Sequence, residues 1–357
     1  MDTRAAVATL VPRADRERAV LARFLLGTRL IASRCMVNRL RQPLLVRHPQ
    51  SPILRAAQWP YRVHSAFNPG AVVLESGATL LLCRMEEPTG LSHLSVARST
   101  NGIDSWVIDP APSVTRDPER HPEERWGLAD ARITHVPELG RYAIAYTAFG
   151  EDGPGVALAL TTDFGSFERL GLAFQPPDAQ AALLPRRIGG RFAIVHRPGG
   201  DAGGDLWISY SSDLRSWGGH EIMLRARGGR FWDGGRIDVS SPPIETAKGW
   251  LMLYRGARDR APGSIARIGA ALFDRDCPNR CIARGASWIF GPEELYEMEG
   301  EAPYVVSPCG MTCSDGDTLH LYYGAADACV GLAVASVTEI LAWLDEPENG
   351  LAPSAHA

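Results

Sequence analysis

One acid and a recurring set of arginines carry the chemistry open to this sequence. Asp130 sits in Gly127-Leu128-Ala129-Asp130-Ala131-Arg132-Ile133, at the start of an apolar run. An aspartate where a strand leaves a turn either bonds its own backbone or points into a cleft, and its neighbours must decide between the two. Arginines close several short apolar runs: Arg84, Arg197 within His196-Arg197, and Arg255. Each follows an apolar strand directly, so a surface placement explains them poorly. Several guanidinium groups gathered around one axis are costly unless anions pair with them. An inverting hydrolase needs two carboxylates, one acid and one base that activates water. Phosphorolysis needs only the acid, because phosphate is the nucleophile, together with a cationic cradle for which the fork of Arg is well shaped. One prominent aspartate facing several arginines fits phosphorolysis better than hydrolysis.

The elements that must position these groups repeat. From about residue 60 an apolar run, a turn with a glycine and a second apolar run recur five times. The marker glycines are Gly77, Gly140, Gly190, Gly249 and Gly316. A third apolar stretch follows each hairpin: Leu91–Ala97, Val156–Leu160, Leu206–Tyr210, Ile268–Phe273 and Gly331–Ala335. The first three lead into a shared phrase, Ser99-Thr100-Asn101, Thr161-Thr162-Asp163 and Ser211-Ser212-Asp213, with an aromatic residue shortly after. Such repeats, each holding three or four short strands, predict an all-β fold, a five-bladed β-propeller, with a sandwich as the competitor. In each repeat the first strand begins and the second ends at the same face. Asn68-Pro69 and Arg84, Asp130 and Thr147, Pro185 and His196-Arg197, Pro242-Pro243 and Arg255, and Pro308 and Tyr322-Tyr323 therefore share one address, the mouth of a central channel.

The remaining features bound the answer. The chain has 357 residues, 45% hydrophobic and 22% charged, with a net charge of −4, which gives no reason to expect nucleic acid or a membrane surface as partner. No apolar run is long enough to span a bilayer, and residues 1–15 lack a signal-peptide pattern, so a cytoplasmic location is expected. Of seven cysteines, Cys277 and Cys281 form one C-x3-C pair and Cys309 and Cys313 another. Without accompanying histidines they read as buried free thiols rather than a zinc site. Residues 1–45 are expected as an N-terminal helical extension, with Val20, Leu21, Phe24, Leu25, Leu30 and Ile31 at roughly helical spacing. It either packs on the main domain, residues 46–346, or joins copies of the chain into a homo-oligomer. Val337–Leu344 reads as a short amphipathic C-terminal helix, and 347–357 as a tail.

At this level of detail the sequence resembles glycoside hydrolase family 130, the β-mannoside phosphorylases and related mannosidases, over roughly residues 46–344. The resemblance rests on Asn68-Pro69-Gly70-Ala71; Leu82-Cys83-Arg84; Gly127 to Arg132; Leu184-Pro185 with His196-Arg197-Pro198; Pro242-Pro243-Ile244-Glu245-Thr246 with Gly249-Trp250-Leu251; Pro292-Glu293-Glu294 with Tyr296-Glu297; and Tyr322-Tyr323-Gly324-Ala325-Ala326-Asp327. It implies a five-bladed propeller with Asp130 as general acid, its proton travelling through a hydroxyl of the bound mannosyl unit. It implies phosphate-binding roles for Arg84 and Arg197, with Arg236 where the family usually has a Lys, and a cavity role for Asp327. This chain departs from the family in three further places. Glu-Asp-Pro-Arg becomes Ala129-Asp130-Ala131-Arg132. A usual basic residue is replaced by Ala179 or Gln180. Tyr-His-Gly becomes Tyr254-Arg255-Gly256, and Arg255 is expected to restore the missing charge.

The expected function is an inverting phosphorylase that cleaves β-mannosides with inorganic phosphate to give α-mannose 1-phosphate, needing no cofactor and no metal. The alternatives are an inverting β-mannosidase and a non-catalytic glycan-binding propeller. Asp130 is the expected catalytic residue; Arg84, Arg197, Arg236 and Arg255 the phosphate ligands; and Asn68, Arg132, His196, Asp327, Tyr304 and Asp233 the substrate contacts. Trp126 and Trp232 are weaker candidates for stacking on sugar, and Glu297 and Glu299 for a hydrolytic base.

Overall fold

The computed structural model describes residues 43–200, 204–260 and 263–351. The expected N-terminal helix falls on residues 1–42, outside the described residues, and so does its expected part in self-association.

The described chain is all-β, with two short α-helices, Leu295–Met298 and Val337–Asp345. Its strands run as antiparallel meanders. The first comprises Ser65–Val73, Thr79–Glu86, Ser92–Ser99 and Val107–Ile108, and the second Gly127–Val136, Arg141–Gly150, Gly153–Thr161 and Glu168–Phe174. A single parallel bridge, Ser92 to Gly127, joins these two into one eight-stranded sheet. The third meander is Ala181–Leu183, Phe192–His196, Leu206–Ser211 and Gly218–Leu224. In the fourth, Arg236–Val239 and Ile244–Thr246 both pair with Gly249–Arg260, which is followed by Gly263–Phe273 and Cys281–Gly285. The fifth is Val306–Cys313, Thr318–Ala325 and Cys329–Ser336. Its last strand is flanked by Val46–Arg47 and Leu54–Arg55 from the start of the described chain.

Most inner strands are buried along their length, as strands covered on both faces must be; Leu80, Leu81, Leu82 and Cys83 are all fully buried. The apolar clusters show what covers them. Leu82 packs with Leu128 and Ile133, Ala145 with Leu183 and Ile194, Val195 with Trp250, and Leu253 with Leu321. A further cluster brings Tyr322 and Leu332 of the fifth meander against Ala66, Leu81 and Cys83 of the first.

The five marker glycines all have positive φ, from 59° at Gly140 to 142° at Gly249, which is why the hairpin grammar requires glycine there. The shared phrase is one turn used three times. The hydroxyls of Ser99, Thr161 and Ser211 accept from the amides of Gly102, Phe164 and Leu214, and the side-chain Oδ1 of Asn101, Asp163 and Asp213 accepts from the amides that follow.

Strand boundaries differ from the sequence expectation. Pro185 follows the third meander's first strand rather than opening it, and Arg236–Val239 already pairs with the strand of Arg255 before Pro242-Pro243 is reached. The C-terminal helix Val337–Asp345 is capped by Ser336, whose hydroxyl accepts from the Glu339 amide. Past Pro347, Gly350–Leu351 pairs with Arg284–Gly285. Among the described residues Cys83, Cys277, Cys281, Cys309, Cys313 and Cys329 are free thiols, but against the expectation of burial Cys277 is exposed and Cys281 and Cys313 are half-buried. No helix among the described residues is long and apolar enough to cross a membrane.

Candidate active site

A cavity of about 130 Å³ collects Asn68, Arg84, Asp130, Arg132, Gln180, Ser240, Arg255, Ser307, Cys309 and Asp327. These residues come from the first, second, fourth and fifth meanders and the segment entering the third. Backbone irregularity turns several of them inward. The first strands of the first, second and fifth meanders each carry a register shift at the same end: Phe67 to Gly70, Ala129 to Arg132, and Pro308 to Gly310. Bulges of this kind re-aim a side chain out of the regular alternation. Asn68 and Asp130, with φ of 46° and 53°, sit at two of them, and Asp327 (φ 53°) lies in the turn after the fifth meander's second strand.

Asp130 is held from two sides. Asn68 Nδ2 donates to Asp130 Oδ1 at 2.8 Å, and Arg84 Nη1 lies 3.6 Å from the same oxygen. Arg84 is itself placed over the rings of Phe67 and Phe149. Asp327 also lines this cavity. Burial, reinforced by the charge of Asp130, pushes its carboxyl up to about 6 against the opposing pull of Arg84 and Arg255.

Three further arginines meet at one buried carboxylate that sequence reasoning missed, Asp238. Arg197 Nε lies 2.6 Å from Asp238 Oδ1, an ion pair off the line of a hydrogen bond. Arg255 donates from Nη2 and Nε to Oδ2 at 2.7 and 3.0 Å, and Arg236 Nε lies 3.5 Å from that oxygen. Asp238 is 1% exposed. Burial opposes its ionisation, but Arg255, Arg197 and Arg236 hold its carboxyl below the usual range. Arg255 Nη1 also donates to Ser307 Oγ at 3.2 Å, which ties the fourth meander to the fifth. The sequence signal for Asp238 was a charge between Ile237 and Val239, inside a short apolar run.

The other candidates are placed differently. Arg132, expected against substrate, lines the cavity but donates to the backbone carbonyls of Ser240, Asp130 and Val239 at 2.6, 2.6 and 2.9 Å, so it frames the bulge of Asp130. His196, expected against substrate, is buried outside the cavity lining. Its ring nitrogens meet Asp178 Oδ2 at 2.6 Å and Ser209 Oγ at 2.7 Å, and Phe174 stacks on it. Asp233, expected on a sugar hydroxyl, is fully buried beneath the fourth meander, where it accepts from Tyr254 Oη and Arg284 Nη2. Tyr304 is 61% exposed and next to the cavity residue Val305, without lining the cavity itself. Trp232 stacks on Tyr254 as a packing aromatic, while Trp126 is exposed. Glu297 is closed to catalysis as a base: Arg47 grips both of its oxygens at 2.8 Å, and Tyr323 Oη and two backbone amides donate to it as well. Glu299 is exposed. Among the described residues no group of three or more His, Cys, Asp or Glu is placed to hold a metal ion.

Comparison with known proteins gives this geometry a context. The family model described as beta-1,4-mannooligosaccharide phosphorylase matches residues 40–346. The 1,2-beta-oligomannan phosphorylase of Thermoanaerobacter sp. (strain X514) is 34% identical over 255 residues, 70% of this chain and 80% of its own. The beta-1,4-mannooligosaccharide phosphorylase of Ruminococcus albus is 32% identical over 307 residues, 83% of this chain and 89% of its own. The solved beta-1,2-mannobiose phosphorylase of Listeria innocua, in complex with beta-1,2-mannobiose, superposes with a TM-score of 0.76 at 29% identity, covering 84% of this chain and 99% of that one. The chain belongs to glycoside hydrolase family 130.

Proposed function

We propose that this protein is an inverting glycoside phosphorylase that cleaves β-mannosides with inorganic phosphate and releases α-mannose 1-phosphate. The observation that carries the reading is the Asp130 carboxyl sharing a small cavity with Arg84, Arg255 and a second carboxyl, that of Asp327, while Arg197 and Arg236, outside the cavity lining, join Arg255 on Asp238. A phosphate oxygen forms the new bond to the anomeric carbon as the glycosidic C–O bond breaks. The proton from Asp130 ends on the departing oxygen. The attacking hydrogen phosphate gives up its own proton, which restores Asp130, so the reaction balances with phosphate alone.

Each group has a role in this scheme. Asn68 orients the Asp130 carboxyl. Arg84, Arg197, Arg236 and Arg255 bind phosphate, and charge-assisted bidentate bonds suit that anion. Arg84 moves from Asp130 to phosphate when the anion enters, which leaves the acid to the sugar. Asp327 contacts the mannosyl unit. Arg255, in place of the family's usual His, offsets the loss of a basic residue at Ala179-Gln180. The five meanders are the blades of a five-bladed propeller around this cavity. The apolar clusters that link each meander to the next, and the fifth back to the first, support that reading.

The test is to incubate β-1,2- and β-1,4-linked mannobiose and longer mannosides with the enzyme, with and without phosphate. Release that requires phosphate is expected. Equal release without phosphate identifies a hydrolase, and no release on any linkage identifies a binding protein.

A further inference from the structure

Arg236 and Arg255 lie on two different strands and Arg197 directly follows a third, yet all three approach Asp238 through the Nε side of their guanidinium groups, and Arg255 adds Nη2. Both carboxylate oxygens are engaged, Oδ1 by Arg197 and Oδ2 by Arg255 and Arg236. Among the described residues no protein acceptor takes the terminal nitrogens of Arg197 or Arg236. Asp238 is thus a clamp on the stems of a fan of arginines, with the outer edges of two of them uncommitted. Three guanidinium charges against one carboxylate leave the fan with a net positive charge, which suits an anion.

We propose that Asp238 is the positioning residue of the phosphate site. It sets the spacing of Arg197, Arg236 and Arg255 before phosphate arrives, and it does not itself touch phosphate or the reacting sugar atoms. This rests on the phosphorylase reading above and adds to it the group that assembles the cradle.

Two physical considerations carry the inference. Long arginine side chains lose considerable rotamer freedom when they converge on a ligand, and a fixed internal partner meets that cost during folding rather than at binding. Three like charges within reach of one anion also repel one another when the site is empty, so a buried counter-charge is needed for the empty cradle to persist. Asp238 supplies both. A carboxylate that served the fold alone would not need to gather three arginines beside the cavity that holds Asp130.

The experiment is steady-state phosphorolysis of mannobiose by wild type, Asp238→Asn and Asp238→Glu, varying phosphate and mannobiose separately. In both variants KM for phosphate should rise about tenfold or more, because small displacements of a binding group have large effects, while KM for mannobiose stays within about twofold. Asp238→Glu keeps the charge but moves it by one methylene, so it remains informative if Asp238→Asn fails to fold. A folded Asp238→Glu with unchanged KM for phosphate overturns the proposal, as does an equal rise in both KM values. Wild-type cleavage that does not depend on phosphate overturns the phosphorylase reading itself, and is seen before any variant is made.

Discussion

The Asp130 carboxyl meets one amide, one guanidinium and shares its cavity with the Asp327 carboxyl, and those neighbours set what it can do. Asp130→Asn keeps the shape and the Asn68 contact surface but removes the proton, so turnover should fall by roughly 10²–10⁴-fold, the usual worth of a general acid, with the melting temperature little changed. Asp327 offers a pH test. Its folded carboxyl titrates near 6, above the ordinary carboxylate value, so the folded protein holds a proton there that the unfolded chain has already lost. Stability from this group is therefore present at acidic pH and declines as pH rises towards and through about 6. Asp327→Asn should flatten the pH dependence of the melting temperature between roughly pH 4 and 6, where the two states differ in protonation. It should also remove an inflection near pH 6 from the profile of kcat/KM. Thermal melts and rates across that range check both. Asp130, Arg84 and Arg255 could be singled out because each breaks an apolar run at a comparable point of a repeat, although Arg255 lies within its strand rather than at its end. His196 and Asp233 lie outside the cavity lining for reasons that need the third dimension: His196 ends a strand whose pairing sets its face, and Asp233 sits in the turn before Arg236–Val239.

At the level of elements, three bulges and two close backbone approaches do the positioning. A side chain at Gly324 would run into Asn68, and one at Gly70 into the Ala131 carbonyl. The glycines of Asn68-Pro69-Gly70-Ala71 and Tyr322-Tyr323-Gly324 thus let the first strand of the first meander lie against its neighbours and present Asn68 to Asp130. Gly324→Ala should push Asn68 off the acid. A loss of turnover of about tenfold to a hundredfold is expected from a misplacement of this size, in a protein whose circular dichroism still shows native sheet. Unaltered turnover would separate the Asn68 contact from catalysis. The hairpins and their marker glycines could be read from the sequence because a positive φ in a tight turn leaves few alternatives to glycine. The bulges could not: Asn68 and Asp130 reveal no change of register in one dimension, and the expected strand from Ile133 proved to start at Gly127. Asp238 escaped notice because a buried charge is recognisable only with its partners, and two of them, Arg197 and Arg255, come from distant parts of the chain.

Across the whole molecule, the start of the described chain is fastened to its last meander. Val46–Arg47 pairs with Val334 and Ala333, and Arg47 holds the fully buried Glu297, which also accepts from Tyr323 Oη at 2.7 Å. Removing one partner of such a buried pair strands the other. Glu297→Ala should cost about 3–5 kcal/mol of unfolding free energy, measured by urea denaturation, with KM for both substrates nearly unchanged because Glu297 does not line the cavity. A large change in KM with little loss of stability would instead place Glu297 in the site. Everything proposed for this site depends on phosphate being the nucleophile that the arginine-lined cavity holds opposite Asp130. Phosphorus NMR of mannobiose cleavage in phosphate fully labelled with heavy oxygen tests this directly. The account predicts one new signal, α-mannose 1-phosphate retaining every labelled oxygen, growing in step with released mannose acceptor. Free mannose accumulating with no new phosphorus signal would contradict it.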